Sequence, residues 1–325
     1  MAHIGVDVSK KKLDVCWLRE PDTGKVKTRV FSNDRQQFPA LLDWLLQHTG
    51  AERAQLHVYL EATGIYHEPL AHWLHEAGAC VYVLNPAQVR FHARSEGQRG
   101  KNDRKDSRVL AEYGAQKRLQ PWQPEPDEVR ELHNLLARLD TVRADIQREH
   151  NRREKAAFTH EPYVLDSIDQ VLHALRDEER RLREQIDEHI QRHPPLRQDQ
   201  RLLETIPGIG DETSKHLLVA MRGRGFTSAR NAAAFFGLVP LDWESGSSVK
   251  AQPRLSKAGQ AHLRQKLYMA AVVAIRHNPA IRAQYERLRK AGKAPMAALG
   301  AAMRKLVHIA FGVWRSQTEF RLQLA

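Results

Sequence analysis

Asp7 closes the apolar run IGVD, and Glu61 closes HVYLE. A carboxylate at the end of a buried strand costs free energy unless it is paired or ligated, so two of them need an explanation. In GKNDRKDSRVLAEYG, Asp103 and Asp106 stand three residues apart at the start of a helical pattern. That spacing puts both on one helix face. If this helix crosses the sheet whose strands end in Asp7 and Glu61, four hard oxygen donors converge and repel one another unless divalent cations neutralise them. Mg²⁺ is the expected occupant, with Mn²⁺ as an alternative, because it takes a few carboxylates together with waters and phosphate oxygens. Two such ions about 4 Å apart stabilise both the attacking and the leaving oxygen of an in-line phosphoryl displacement. Singly, each residue has a plainer role. Asp103 and Asp106 suit a helix N-cap and first turn. Asp7 suits a turn, or the first phosphate loop of an actin-like kinase or ATPase, but that reading also needs a second Gly-rich phosphate loop, which residues 1–120 do not contain.

A second group lies in WESGSSVKAQPRLSKAG, residues 243–259, where Ser245, Ser247 and Ser248 crowd Gly246. A serine hydroxyl is a weak nucleophile and needs a base or a metal to activate it. No His stands beside Ser245, so a metal is the expected help. Lys250, Arg254, Lys257 and Arg264 follow, and are candidates to neutralise a pentavalent phosphate or to grip a phosphate backbone. The same stretch also reads as a flexible Gly/Ser turn followed by a solvated basic face, and local chemistry does not choose among the three serines. In LLETIPGIGDETSKHLL, Gly208 and Gly210 permit a sharp turn between two helices whose backbone N–H groups approach a phosphate. This is the pattern of a helix-hairpin-helix contact to nucleic acid, or of an ordinary helix–helix turn.

The elements that must position these residues follow from periodicity. HIGVDVS, LDVCWL and KVKTRVFSN predict a meander of three strands. RQQFPALLDWLLQHTG predicts a helix that buries Phe38, Leu41, Leu42, Trp44 and Leu45 and stops at Gly50. QLHVYLEATG and CVYVLNP predict two further strands with a helix over about 68–76 between them. Three strands, helix, strand, helix, strand is the order of a ribonuclease-H-like fold. The Pro-rich QPWQPEPDE marks a linker near 120–127. Beyond it, Leu165, Ile168, Leu172, Leu175, Leu182, Ile186 and Ile190 keep one apolar seam, which predicts a coiled-coil arm that ends at Pro194 and Pro195. Such an arm packs on its own chain, pairs protomers or grips nucleic acid. From Leu202 onward the chain reads as short helices with tight turns, closed by AGQAHLRQKLYMAAVVAIRH and MAALGAAMRKLVHIAFGVW. The expected fold is α/β plus α, with domains over 1–120, 121–200 and 201–325.

Lys and Arg number 51 against 39 Asp and Glu in 325 residues, a net charge of +12. Such a balance is expected of a protein that meets polyanions, nucleic acid first. The apolar runs fall short of the roughly 18 to 20 residues of a membrane span, and MAHIGVDVSKKK carries no apolar signal region. Cys16 and Cys80, the two cysteines, have neither disulfide nor zinc spacing, so the bacterial cytoplasm is the expected location and no organic cofactor is expected.

DVSKKKLDV (7–15), EATGIY (61–66), NPAQVRFHARSEGQRGKNDRKDSRVLAEY (85–113), IPGIG (206–210) and ESGSSV (244–249) together resemble the Piv-related insertion-sequence transposases, DEDD-type recombinases that include the bridge-RNA-guided enzymes. The likeness runs over nearly the whole chain, with the motifs in family order. It implies a RuvC-like DEDD domain, a coiled coil and a C-terminal transposase domain. It also implies that Asp7, Glu61, Asp103 and Asp106 bind metal and that Ser245 is the nucleophile. The partners it implies are target and donor DNA, a structured noncoding guide (bridge) RNA, and further protomers, a dimer that assembles to a tetramer with an active site shared between chains. Asn102 and Ser107 stand where Thr and Ala are commoner, and Lys250-Ala251 where Arg-Gly is usual. The residues alone also admit a metal-dependent nuclease or junction resolvase without serine chemistry, or a non-catalytic RNA- and DNA-binding scaffold.

Overall fold

A computed structural model describes the chain except residues 21–22, 63, 98–102, 246–248, 257 and 323–325, and leaves the side chains of 103–105 and 241–254 outside the description. The chain divides into two compact units, Met1–Pro124 and Glu125–Ala325. Among the described residues it holds twelve α-helices, a five-stranded sheet and a two-stranded sheet.

The first unit opens with β1 (Ala2–Val8), β2 (Lys12–Glu20) and β3 (Lys25–Ser32), an antiparallel meander as the alternating patterns predict. Helix α1 (Phe38–Thr49) starts with a proline in its first turn and stops where Gly50 takes a left-handed φ of 64°. β4 (Leu56–Glu61), α2 (Glu68–Glu76) and β5 (Cys80–Leu84) follow, and both strands run parallel to β1, giving the order β3-β2-β1-β4-β5. Ile4, Val6, Val8, Leu13, Val15, Val58 and Leu60 face α1 and α2 in one core with Phe38, Leu41 and Leu45. Strand alternation therefore turns Gly5, Asp7, Asp14, Cys16, Tyr59 and Glu61 to the other face.

That other face is covered by α3 (Pro86–Ser95) and α4 (Asp103–Gln116), which pack with Tyr59, Tyr82 and Leu84. The approach is very close. A Cβ on Gly5 would stand 1.9 Å from the carbonyl oxygen of Ser107, and one on Gly114 would stand 2.3 Å from the Tyr59 ring. The Pro-rich segment does not leave the unit freely: Trp122 donates its backbone N–H to Val81 at 2.7 Å and meets His72 edge-on.

In the second unit α5 (Asp127–Phe158) and α6 (Pro162–Arg192) are long helices packed antiparallel, as Arg143–Glu179 and Arg153–Asp169 pairing requires. The apolar seam of α6 buries Leu172, Leu182, Ile186 and Ile190. Pro194 begins α7 (Pro194–Glu204), and α8 (Asp211–Arg224) and α9 (Ala229–Phe235) follow. Next come β6 (Pro240–Ser245) and β7 (Val249–Leu255), an antiparallel pair where the sequence reads as helices and turns. Their prolines and polar residues hide the period-2 signal. α10 (Ala261–His277), α11 (Pro279–Lys290) and α12 (Pro295–Ser316) close the unit. Contrary to the expectation of short apolar runs, α12 is long and apolar enough to cross a membrane, yet half of that stretch is buried in the unit's own core.

A polar anchor of this unit is Asp199, fully buried on α7. It accepts from Arg222 Nε at 2.6 Å, Trp314 Nε1 at 2.8 Å and Gln317 Nε2 at 2.9 Å, and so ties α7 to α8 and α12. Breaking one side of a buried ion pair leaves an uncompensated charge. Asp199→Ala is therefore expected to destabilise the second unit by about 3–5 kcal/mol in chemical denaturation. In the first unit, Gly5→Ala forces α4 off the sheet and is expected to cost about 3 kcal/mol. Gly50→Ala, where nothing lies within 4 Å of the added Cβ, is expected to cost about 1 kcal/mol through its left-handed backbone alone.

Candidate nucleic-acid-processing site

Asp7 and Glu61 lie one residue beyond the paired Val6 and Leu60 of two adjacent parallel strands, so they stand side by side at the carboxyl ends of β1 and β4. Both project from the face that α4 crosses, and both are half-buried. The close contact at Gly5 fixes that helix, so its first turn, which carries Asp103 and Asp106, is delivered by the same packing that buries Ser107. Asp106 is also half-buried, whereas the Asp103 side chain lies outside the description. Asp7, Glu61 and Asp106 each already have a polar or electrostatic partner.

Two features of this face escape the sequence reading. Asp14 is the antiparallel register partner of Asp7, is 6 % exposed, and is held by Lys12 Nζ at 3.0 Å. A further carboxylate and its counter-ion thus stand beside the pair. Asn33 donates its amide to the carbonyl of Ser9 at 2.9 Å and to that of Tyr66 at 3.1 Å, and so joins the loops that follow the Asp7 and Glu61 strands. DVSKKKLDV contains the signal for Asp14, since a tight turn folds its two aspartates onto one face; Asn33 is far from both loops in sequence and gives none. Partly buried carboxylates gathered on one face suit a hard divalent cation.

Ser245 ends β6, its backbone paired with Val249, and Glu244 pairs with Lys250. The rest of the Gly/Ser turn of the sequence reading falls on 246–248, which, with Ser247 and Ser248, lie outside the described residues. Lys250 and Arg254 belong to β7, their side chains outside the description, and Lys257 lies outside it altogether. Arg264 donates to the carbonyls of Phe236 and Gly259 at 3.4 and 3.3 Å, which braces the turn that leads into α10.

At the IPGIG turn, Gly208 has φ +105° and packs on α10, where a Cβ would meet that of Ala274 at 2.5 Å. Gly210 is open and caps α8. The first turn of α8 carries Asp211 and Glu212, so the helix dipole is already answered by its own carboxylates. Asp211 is bound to Lys215 and Glu212 to Arg143 and Lys266.

Another polar cluster lies within the second unit, unmarked by motif. Asp140 on α5, His216 on α8 and His262 on α10 bring their donor atoms within 4.8 Å of one another. Burial, with the Lys266 ammonium adding to it, pushes His216 down to about 4. Burial also lowers His262, which favours the neutral form of both rings.

Comparison with known proteins agrees with this arrangement. Residues 4–159 match a family described as transposase, of the DEDD IS110 type, and residues 200–286 match the family described as transposase IS116/IS110/IS902. The pilin gene-inverting proteins of Moraxella bovis and Moraxella lacunata are each 34 % identical, over 98 % of this chain and 97 % of their own length. An uncharacterized 43.6 kDa protein of insertion element IS110 from Streptomyces coelicolor is 28 % identical over 50 % of this chain and 39 % of its own. The DEDD match implies a ribonuclease-H-like first unit, and the strand order found here agrees with it. The chain belongs to the IS110/IS116/IS902 family of transposases.

Proposed function

We propose that this transposase is an RNA-guided, Mg²⁺-dependent recombinase that cuts and exchanges DNA strands through a phosphoserine bond at Ser245. The observation that carries the reading is the shared face of Asp7, Asp14 and Glu61 beneath the helix that bears Asp103 and Asp106. Asp7, Asp14 and Glu61 near one end of a sheet, with the start of an Asp-bearing helix on the same face, fit a divalent cation that meets phosphate oxygens, and a basic chain of +12 fits a nucleic-acid substrate. Inversion of a gene segment, the activity in the name of the Moraxella relatives, requires strands to be cut and rejoined, which a covalent protein–DNA bond allows without an external energy source.

In this mechanism Asp7, Glu61, Asp103 and Asp106 hold the metal, and Asp14, already neutralised by Lys12, shapes the charge of the face. Bound Mg²⁺ supplies Lewis-acid stabilisation of phosphate and serine oxygens. Ser245 Oγ forms a bond to a DNA phosphorus and loses its proton to solvent; the bond from phosphorus to the 3′ oxygen breaks, and that oxygen leaves as a 3′-hydroxyl. A 3′-hydroxyl of the partner strand then attacks the phosphoserine, the bond from phosphorus to Ser245 breaks, and the serine is restored. Lys250, Arg254 and Lys257 are proposed to neutralise the five-coordinate phosphate, with Arg264 bracing the segment and the Gly208–Gly210 turn approaching a DNA or RNA backbone. Target choice by a structured noncoding RNA and assembly from dimer to tetramer rest on the family resemblance, whereas the domain limits and the coiled-coil arm are also supported by the Pro-rich segment near 120–127 and the apolar seam of residues 165–190. Phe158 and Tyr163, 87 % and 91 % exposed at the tip of the α5–α6 hairpin, support contacts between copies there.

The test is adduct trapping with the full chain, nicked target and donor DNA, Mg²⁺ and the RNA transcribed beside its reading frame. The wild type is expected to give a covalent adduct. Ser245→Ala is expected to give none, and Asp7→Asn and Asp106→Asn to lower its yield about 100-fold or more. An adduct in Ser245→Ala removes the nucleophile assignment, cleavage by the wild type without any adduct makes the protein a plain metal nuclease, and recombination unchanged without the RNA removes guidance.

A further inference from the structure

The cluster of Asp140, His216 and His262 plays no part in the proposed recombination chemistry, and its geometry needs an explanation. His216 Nε2 lies 3.6 Å and His262 Nε2 3.9 Å from Asp140 Oδ2, too far for hydrogen bonds. His216 is 7 % exposed, and its Nε2 and Asp140 Oδ2 are buried atoms without a hydrogen-bond partner among the described residues. Two buried polar atoms that lie 3.6 Å apart without a partner are expensive to leave unsatisfied. A four-coordinate ion with bonds of about 2.0–2.1 Å sets its ligand atoms roughly 3.3–3.5 Å apart; the two separations from Asp140 are within about half an ångström of that, and all three donor atoms lie within 4.8 Å of one another.

We propose that Asp140, His216 and His262 form a binding site for a divalent first-row transition ion of the Zn²⁺ class, separate from the carboxylate face of the first unit. Two imidazoles and one carboxylate favour such an ion over Mg²⁺, which wants oxygen ligands. The depressed pKa of both rings keeps their lone pairs available at neutral pH. Lys266 binds the other oxygen of Asp140 at 2.9 Å and leaves Oδ2 to the ion; Glu212, which also accepts from Lys266, offsets part of that ammonium's repulsion. Asp140, His216 and His262 line a cavity of about 240 Å³ together with Glu125 and His133, the latter seven residues before Asp140 and on the same face of α5, so a ligand has room beside them.

The three ligands come from three helices. The ion would join arm helix α5 to α8, which follows the IPGIG turn, and to α10, which follows the strand pair that carries Ser245. It would act as a staple that fixes where that pair is rooted.

The test uses the full chain stripped by chelator and titrated with Zn²⁺ in excess Mg²⁺, with Co²⁺ as a spectroscopic probe. One Zn²⁺ per chain is expected to bind, and Co²⁺ is expected to give the intense visible bands of a four-coordinate site. Saturating Zn²⁺ is expected to raise Tm by about 5–10 °C at a hundredfold excess over Kd. His216→Ala and His262→Gln are expected to weaken binding about 100-fold or more and to abolish the Tm shift, while Asp106→Asn leaves both unchanged. His262 has a side chain 52 % exposed, so the His262→Gln protein keeps the experiment decisive if His216→Ala does not fold. No saturable Zn²⁺ binding, full-strength binding in His262→Gln, or loss of binding in Asp106→Asn would each overturn the proposal.

Discussion

The first unit depends on one approach: α4 lying so near β1 that Gly5 has no room for a side chain against the Ser107 carbonyl. A helix held off by an ordinary side chain would sit several ångströms higher and carry its first turn away from the strand ends. Because it does not, the residues of that face, Cys16 over β2, Gly5 over β1 and Tyr59 over β4, register the helix across three strands. Asp103 and Asp106 are consequently presented by a rigid element, as a metal site that must hold its geometry requires. Burial on that face has visible electrostatic effects, pushing the Cys16 thiol up to about 12 so that it packs as an inert neutral group.

The second unit solves a different problem. It is almost wholly helical and strongly charged, and among the described residues its fully buried acid and its buried lysine are matched: Asp199 by Arg222, and Lys215 by Asp187 and Asp211. The same economy makes the cluster at Asp140 stand out, since there the partners face one another without closing. It also shows how the IPGIG turn is used. Gly208 is needed for helix-to-helix contact with α10, and Asp211 and Glu212 occupy the dipole of α8, which leaves Gly210 as the open backbone position of that turn.

Much of this was legible in the residues. The alternating runs of the first unit fix its strands, and the helical pattern after Asp103 fixes the element that carries Asp103 and Asp106. Gly50 and Pro194 mark the ends of helices for reasons of backbone geometry alone. What was not legible depends on contacts distant in sequence. Asn33 gives no sign that it will bridge Ser9 and Tyr66. The β6–β7 pair is masked by Pro240 and Pro253, and by polar residues whose strand form comes from pairing rather than propensity. His216 and His262 sit on different helices 46 positions apart, without any metal-ligand spacing. Asp14 lay inside a recognised motif, but its register with Asp7 appears only once the hairpin closes.

The proposed mechanism requires the carboxylates of the first unit and Ser245 of the second, from one protomer or from two, to act on one phosphate in the assembled complex. Fe²⁺ in place of Mg²⁺, with ascorbate and peroxide, makes short-range radicals that cut the polypeptide wherever it lies beside the metal. In the assembled complex with DNA and RNA, the account predicts cuts near residues 7, 61 and 103–106 and also within 244–249, with any cuts around Asp140, His216 and His262 reporting the other site. Cuts near 7, 61 and 103–106 with none in 244–249 would contradict it.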